Sequence, residues 1–181
     1  CDHLLTDNEI FAVRTKDVGV ISAEEAINYG MSGPMLRACG VPLDIRRAEP
    51  YSIYPRLDFE VPLRHNGDTY DRYILRIEEM RQSLRIVEQC LEQMAEGPIM
   101  GQVPRTLRPP AGEVYMRTEN PRGDFGIYLV STGGLEPYRV KVRAPSFCNL
   151  MTLRRMLQGC YVADCVVVLG SFDIVLGEVD R

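Results

Sequence analysis

The 181-residue sequence has no tryptophan and only two histidines, His3 and His65. Two histidines cannot supply a His-rich zinc site. A Ser-His-Asp or Cys-His catalyst would have to use one of them, and neither sits with a Gly-x-Ser-x-Gly elbow. Gly-x-Gly-x-x-Gly and the Walker A pattern are both missing, so the usual phosphate-cradling loops are excluded. No Cys-x-x-Cys pair occurs among Cys1, Cys39, Cys90, Cys148, Cys160 and Cys165. A chain this long does not need disulfides to fold, so the cysteines read as free, mostly buried thiols. Long hydrophobic runs are lacking too. The longest, Val162 to Leu169, is broken by Asp164, ends at Gly170, has no basic n-region ahead of it, and falls far short of the roughly 20 residues that span a bilayer. Lysine is scarce, with Lys16 and Lys141 alone among 21 basic residues, and the net charge is −4. That balance excludes nucleic-acid binding through bulk electrostatics.

What remains is an ordinary globular composition, 45% hydrophobic and 25% charged, of a length that suits one domain. Ser22-Ala-Glu-Glu25 reads as a capping box opening a short helix that runs to Tyr29 and stops at Gly30. Met31 to Gly40 is rich in small residues around a single charge, Arg37, and reads as a tightly packed turn. Residues 41–67 hold Pro42, Pro50, Pro55 and Pro62 and read as irregular but ordered. From Asp68 to Ala95, Tyr70, Tyr73, Ile77, Met80, Leu84, Val87, Leu91 and Met94 recur at alternating steps of three and four. That places them on one seam of a long helix. The seam reads as core packing in a helical bundle. The opposite side, with Arg72, Arg76, Glu79, Arg81, Arg85, Glu88 and Glu92, reads as solvated or partner-facing.

Gly97-Pro98 ends the helix, and a Pro- and Gly-rich connector follows. Three short strands are expected at Val114–Arg117, Gly126–Val130 and Tyr138–Arg143, with Thr132-Gly133-Gly134 as a turn. Ser146 is expected to cap a helix through Leu157, and Ala163–Leu169 is a buried segment, helix or strand. The predicted organisation is a helical part over 1–97 with its long helix at 68–95, a connector at 98–112, a small sheet at 113–145, and C-terminal helices and tail at 146–181.

Three segments set polar groups among glycines and prolines. In Glu119-Asn-Pro-Arg-Gly123, the proline fixes the backbone beside Arg122 and Gly123 permits a tight turn that would aim the guanidinium. Such an arginine can stabilise an anion or a reduced cofactor, or it can brace the loop through an Arg–Glu pair. Arg143 likewise stands one residue before a rigid corner, in Arg143-Ala-Pro-Ser-Phe147. In the tail, Asp173, Glu178, Asp180 and Arg181 alternate with Val175, Leu176 and Val179, which suggests partial burial.

These segments carry a resemblance. Glu119 to Gly123, Pro137 to Phe147 and Ser171 to Arg181, together with Gly33 to Gly40 and Tyr70-Asp-Arg, resemble the C-terminal half of one component of respiratory complex I, NADH:quinone oxidoreductase. That component is the D subunit, the quinone-site subunit. The family is similar to the large subunit of nickel–iron hydrogenases, which end in Asp-Pro-Cys-x-x-Cys-x-x-His. Set against that ending, this chain has Asp173, Ile174, Val175, then Glu178, then Arg181. Val175 and Glu178 take the two cysteine positions, and valine offers a metal no donor. No metal is therefore expected in this chain. Arg122 matches the arginine that overhangs the hydrogenase metal site.

The resemblance implies an α+β, mostly helical fold: a long-helix bundle with a small antiparallel sheet, hydrogenase-large-subunit-like. It implies a chain that shapes the quinone cavity and belongs to an oxidoreductase complex, inactive by itself. Arg122, Val175, Glu178 and Asp180 are the quinone-cavity candidates, and Glu119, Gly123, Arg143, Asp173 and Arg181 form the supporting motif. The implied partners are the N-terminal half of the same subunit, an iron–sulfur subunit holding a terminal cluster, and other complex I subunits. The implied location is the peripheral arm at the inner membrane, on the cytoplasmic or matrix side. The family's headgroup-contacting His and Tyr lie in its N-terminal half, and His3 and Tyr29 do not match them, so Cys1 reads as a cut point or a split-gene start. The family also carries a helical segment before its Pro-Gly-Glu-Val-Tyr motif, here Ala111 to Tyr115, that the short connector omits. A structural or assembly module of a related membrane-bound redox or hydrogenase-like complex is the alternative.

Overall fold

A computed structural model describes residues 5–180; Cys1, His3 and Arg181 lie outside the described residues. Helix α1 (Glu9–Thr15) starts where the Asn8 side chain accepts from the Ile10 and Phe11 amides at 2.9 and 3.2 Å. Helix α2 (Ala23–Asn28) carries the expected capping box between Ser22 and Glu25 and gives way to Gly30, whose φ of +70° suits glycine. Every residue from Met31 to Cys39 is buried, around the single turn α3 (Pro34–Arg37). Another short turn, α4 (Ile45–Ala48), is capped by Asp44.

The long helix α5 (Thr69–Glu92) begins at Asp68, whose carboxylate accepts from the Asp71 amide at 2.7 Å. Its docking departs from the expected assignment of faces in part, although Arg81, Arg85, Glu88 and Glu92 are exposed as expected. Among the seam residues, Leu84 is 64% exposed, and Met80, Val87 and Leu91 are exposed as well. The side expected to be solvated holds Arg72, which is 0% exposed. Its guanidinium donates to the Gly67 and Gly19 carbonyls and to the Thr69 and Ser171 hydroxyls. Leu75 is the one apolar α5 side chain that is fully buried among the described residues. The seam sequence is therefore built for burial, but nothing within residues 5–180 covers its C-terminal half.

The core lies elsewhere, where Ile21, Ala26, Met31, Met35 and Leu36 meet Met156, Val168 and Phe172. Strands β1 (Gly112–Asn120), β2 (Gly123–Ser131) and β3 (Arg139–Arg143) form one antiparallel sheet in the order β1-β2-β3. The first two run longer than expected, because pairing continues to Asn120↔Gly123 across a two-residue turn at Pro121-Arg122. In this register Val114, Met116, Ile127 and Val140 share one face, and all four are exposed. The other face carries Arg117, which pairs with Glu49 just beyond α4.

After the sheet, the single helix expected through Leu157 is replaced by two, α6 (Pro145–Leu150) and α7 (Leu153–Met156). Pro145 takes the first helical position, where its missing N–H costs nothing. That leaves Ala144 at the cap and Ser146 inside the helix, so Ser146 is not the cap. The 163–169 segment is helical, α8 (Asp164–Gly170), yet only Asp164 and Val168 in it are buried and Val166 is exposed. The tail ends in α9 (Leu176–Asp180). Cys39 is a buried free thiol, whereas Cys90, Cys148, Cys160 and Cys165 are free and half-buried rather than buried.

Candidate functional site

The densest polar cluster centres on Arg37. Small neighbours in the 31–40 turn let the backbone pack closely, and this buries the one charge among them. Its guanidinium side chain is 2% exposed and is saturated: it meets Glu79 of α5 at 2.7 Å, Glu119 of β1 at 2.8 Å, and the Leu43 carbonyl at 2.8 Å. The second Glu119 oxygen accepts from the Ile45 amide at 3.0 Å. Asp44, 3.9 Å from Arg37, is taken up by Arg46 at 2.6 Å. One ion network thus ties α3, α4, α5 and β1 together.

Burial has opposite outcomes for the two acids. It pushes Asp44 up, but hydrogen bonds and charge from Arg46, with Arg37 behind it, outweigh this and hold Asp44 below its ordinary 3.8. For Glu79 burial wins despite Arg37, and its pKa is raised. A cleft of about 560 Å³ opens beside the network. Its walls are Tyr73, Ile77 and Met80 of the seam, Arg76, Tyr54, the Asn120-Pro121 turn and Asp173.

The hairpin turn leads from this cleft to the tail. Gly33 and Gly123 approach so closely that a Cβ on Gly123 would lie 2.5 Å from the Ser32 hydroxyl and one on Gly33 2.5 Å from the Arg122 carbonyl. Both glycines have positive φ, +135° for Gly123 and +66° for Gly33. Pinned at its backbone, Arg122 reaches the tail: Nε donates to the Asp173 carbonyl at 2.9 Å and the guanidinium meets the Asp173 carboxylate at 3.2 Å. Asn149 of α6 joins the same junction, accepting from the Ser32 amide at 3.1 Å and donating to the Arg122 carbonyl at 3.3 Å.

At the start of α6, Glu178 accepts from the Ser146 amide at 3.1 Å and its hydroxyl at 2.5 Å. Ser146 occupies the second helical position, so the Glu178 carboxylate replaces the missing cap side chain. The tail is held at two points, Asp173 and Glu178, with Val175 between them 37% exposed.

A family model described as "Respiratory-chain NADH dehydrogenase, 49 Kd subunit" matches residues 1–109 and 102–181. The chain belongs to this family. Among its members, an NADH-quinone oxidoreductase D subunit of Solibacter usitatus, the one numbered 2, is 55% identical over 180 residues, which is 99% of this chain and 49% of the relative. The corresponding D subunit of Dehalococcoides mccartyi is also 55% identical, with the same coverage. That of Ehrlichia ruminantium is 43% identical over 205 residues, 99% of this chain and 52% of that protein. The chain therefore spans about half the length of these relatives. The two pieces of the family match meet inside the connector. The Ehrlichia alignment is longer than the chain itself, so that relative carries extra residues within the matched region.

Against this family background, the structure brings together some of the predicted residues and separates others. Arg122 and Asp173 form a pair; the bracing partner of Arg122 is Asp173 and not Glu119, which belongs to Arg37. Arg143 instead donates to the Gly30 carbonyl at 2.9 Å and stands 3.4 Å from Asp124. Glu178 and Val175 lie at α6, and Asp180 is exposed at the end of α9. Sequence reasoning missed the roles of Arg37, Glu79, Asp44 and Arg76. Arg37 did carry a signal, as a single charge in an otherwise small and apolar segment. Glu79 gave none, because the helical pattern assigned it to solvent. The five described cysteines are dispersed, and among the described residues no group of three or more His, Cys, Asp or Glu is arranged to hold a metal.

Proposed function

We propose that this chain is the C-terminal part of the quinone-site subunit of an NADH:quinone oxidoreductase, and that its tail supplies one wall of the quinone cavity. The relatives' names, all of them NADH-quinone oxidoreductase subunits, support the coarse reading. The observation that carries the finer one is the doubly clamped tail, in which Val175 is held exposed between two polar anchors, Asp173–Arg122 and Glu178–Ser146. A fixed apolar side chain flanked by charge suits a flat headgroup that is apolar on its faces and polar at its carbonyls. Quinone reduction takes up two electrons and two protons. In this reading Arg122 and Glu178 keep the wall rigid and set the local charge, while exposed Asp180 faces the remaining lining. The electrons come from a cluster held by a neighbouring iron–sulfur subunit. The fold is that of the hydrogenase large subunit with its thiolates replaced. No described helix is long and apolar enough to cross a membrane, which accords with a place in a peripheral arm.

The test is Val175→Met in the assembled complex. Crowding at the wall should raise the KM for quinone and weaken inhibitor binding while assembly survives. Unchanged quinone kinetics in a fully assembled Val175→Met complex removes Val175 from the site. A free-standing structural module, the alternative reading, would carry a polar surface. The exposed apolar seam of α5 and the open apolar face of the sheet weigh against it.

A further inference from the structure

The sheet has two edges, and one of them is covered. On the outer side of β1 the Glu119 amide donates to the Tyr51 hydroxyl at 3.1 Å, and Arg117 reaches Glu49 beyond α4. No described strand lies on the outer side of β3. This open strand has two unlike faces: Arg139, Lys141 and Arg143 fall on one, Val140 and Val142 on the other. Arg143 is engaged with the Gly30 carbonyl and Asp124. Arg139 and Lys141 are exposed and have no ion pair among the described residues. Glu113, in the same row of the sheet as Arg139, lies two strands away and accepts from the Tyr128 hydroxyl. Val140 is 49% exposed and continues the open apolar face of Val114, Met116 and Ile127.

We propose that an extended segment of a neighbouring subunit adds to the sheet at β3, setting acidic residues against Arg139 and Lys141 and apolar residues against Val140 and Val142. The inference rests on the reading of this chain as one subunit of a larger oxidoreductase complex, and it names a contact within that complex. Backbone hydrogen bonds to the free edge supply the attachment, and the alternation of side chains fixes the register. Charge selects the character of the guest. Cross-strand residues that stand opposite each other interact directly, so a basic segment sets like charges face to face, whereas an acidic one pairs both cations. Charge also selects the source. An edge that waits in solvent for another chain is guarded by Lys and Arg against indiscriminate pairing; an edge closed within its own chain during folding needs no guard. Lys141 is one of only two lysines in the sequence, and the other, Lys16, lies over the Tyr70 ring. Such a guard admits a complementary strand and repels the rest, which is how charge gives an interface its specificity.

The experiment uses the assembled complex. A carbodiimide, which joins a lysine amine directly to a carboxylate, is applied to it, and the joined peptides are identified by mass spectrometry. Lys141 is expected to be coupled to an Asp or Glu of a different polypeptide. Backbone hydrogen exchange is expected to be slow at every amide from Val140 to Arg143, where a bare edge leaves alternate amides fast. The double change Arg139→Glu with Lys141→Glu should speed that exchange several-fold, and Arg139→Lys should not. Coupling of Lys141 to a carboxylate of its own polypeptide overturns the assignment to a neighbour. Fast exchange at alternate β3 amides in the wild-type complex overturns strand addition, whether or not Lys141 is coupled. If exchange is slow and the double change leaves it slow, a strand is there and its acidic character is overturned. If no other polypeptide accompanies the complete subunit, the larger-complex reading itself fails, and the proposal with it.

Discussion

Along α5 the usual correspondence between polarity and burial fails twice: the polar side is buried over the first turns, and the apolar seam is exposed over the later ones. On one face Arg72 and Leu75 are fully buried and Glu79 is tied to Arg37; on the other, Met80, Leu84, Val87 and Leu91 stand in solvent. The polar face is buried over its first turns because the groups there find partners at hydrogen-bond distance, four acceptors for Arg72 and the Arg37 guanidinium for Glu79, whereas Arg81, Arg85, Glu88 and Glu92 further along it are exposed. The later part of the apolar face is exposed because no surface among the described residues covers it. Apolar spacing along a helix shows which side seeks cover; it does not show whether the cover is in the same segment of chain.

The strongest way to break this comparison is at the buried polar face. Arg37→Leu strands Glu79 and Glu119 without their cation and should cost about 3–5 kcal/mol of stability in denaturant unfolding of the complete polypeptide. Gly123→Ala comes next. A β-carbon there meets Ser32 at 2.5 Å and sits on a backbone with φ +135°, so a loss of about 1–3 kcal/mol from backbone strain is expected, with the clash added. A smaller effect is visible only in acid. Asp44 is held below its ordinary 3.8, so its contribution is present at neutral pH and is lost as pH falls below that value through the depressed pKa. Glu79, raised by burial, acts with the opposite sign and favours the folded state on acidification. Asp44→Asn should be less stable at pH 7 and should lose less on acidification from pH 4 downward than the wild type. The least costly probe leaves stability untouched. Burial pushes the Cys39 thiol up to about 11, so at pH 8 a thiol reagent should modify the half-buried cysteines well before Cys39.

Local chemistry was legible in the sequence, and long-range pairing was not. The Ser22–Glu25 capping box, the stop at Gly30 and the hairpin after Thr132 all depend on neighbours within a few residues, and all are present. Arg122 could be read as aimed by its Pro and Gly neighbours, but its partner lies 51 residues away at Asp173. Ser146 looked like a cap because serine caps helices well. Pro145 shifted the helix start by two positions, and a carboxylate 32 residues on took over the capping. The burial of Arg72 and Arg37 was hidden for the same reason, since acceptors from three separated segments had to converge before either could leave water.

The central claim is that the seam is an interface and that the first turns of the polar face are core. The direct test is Leu84→Ala, with unfolding free energy measured in the complete polypeptide. A side chain that is 64% exposed here but covered by the rest of the subunit should cost about 2–5 kcal/mol on truncation. A change within about 0.5 kcal/mol, the usual effect of a surface substitution, would contradict the account.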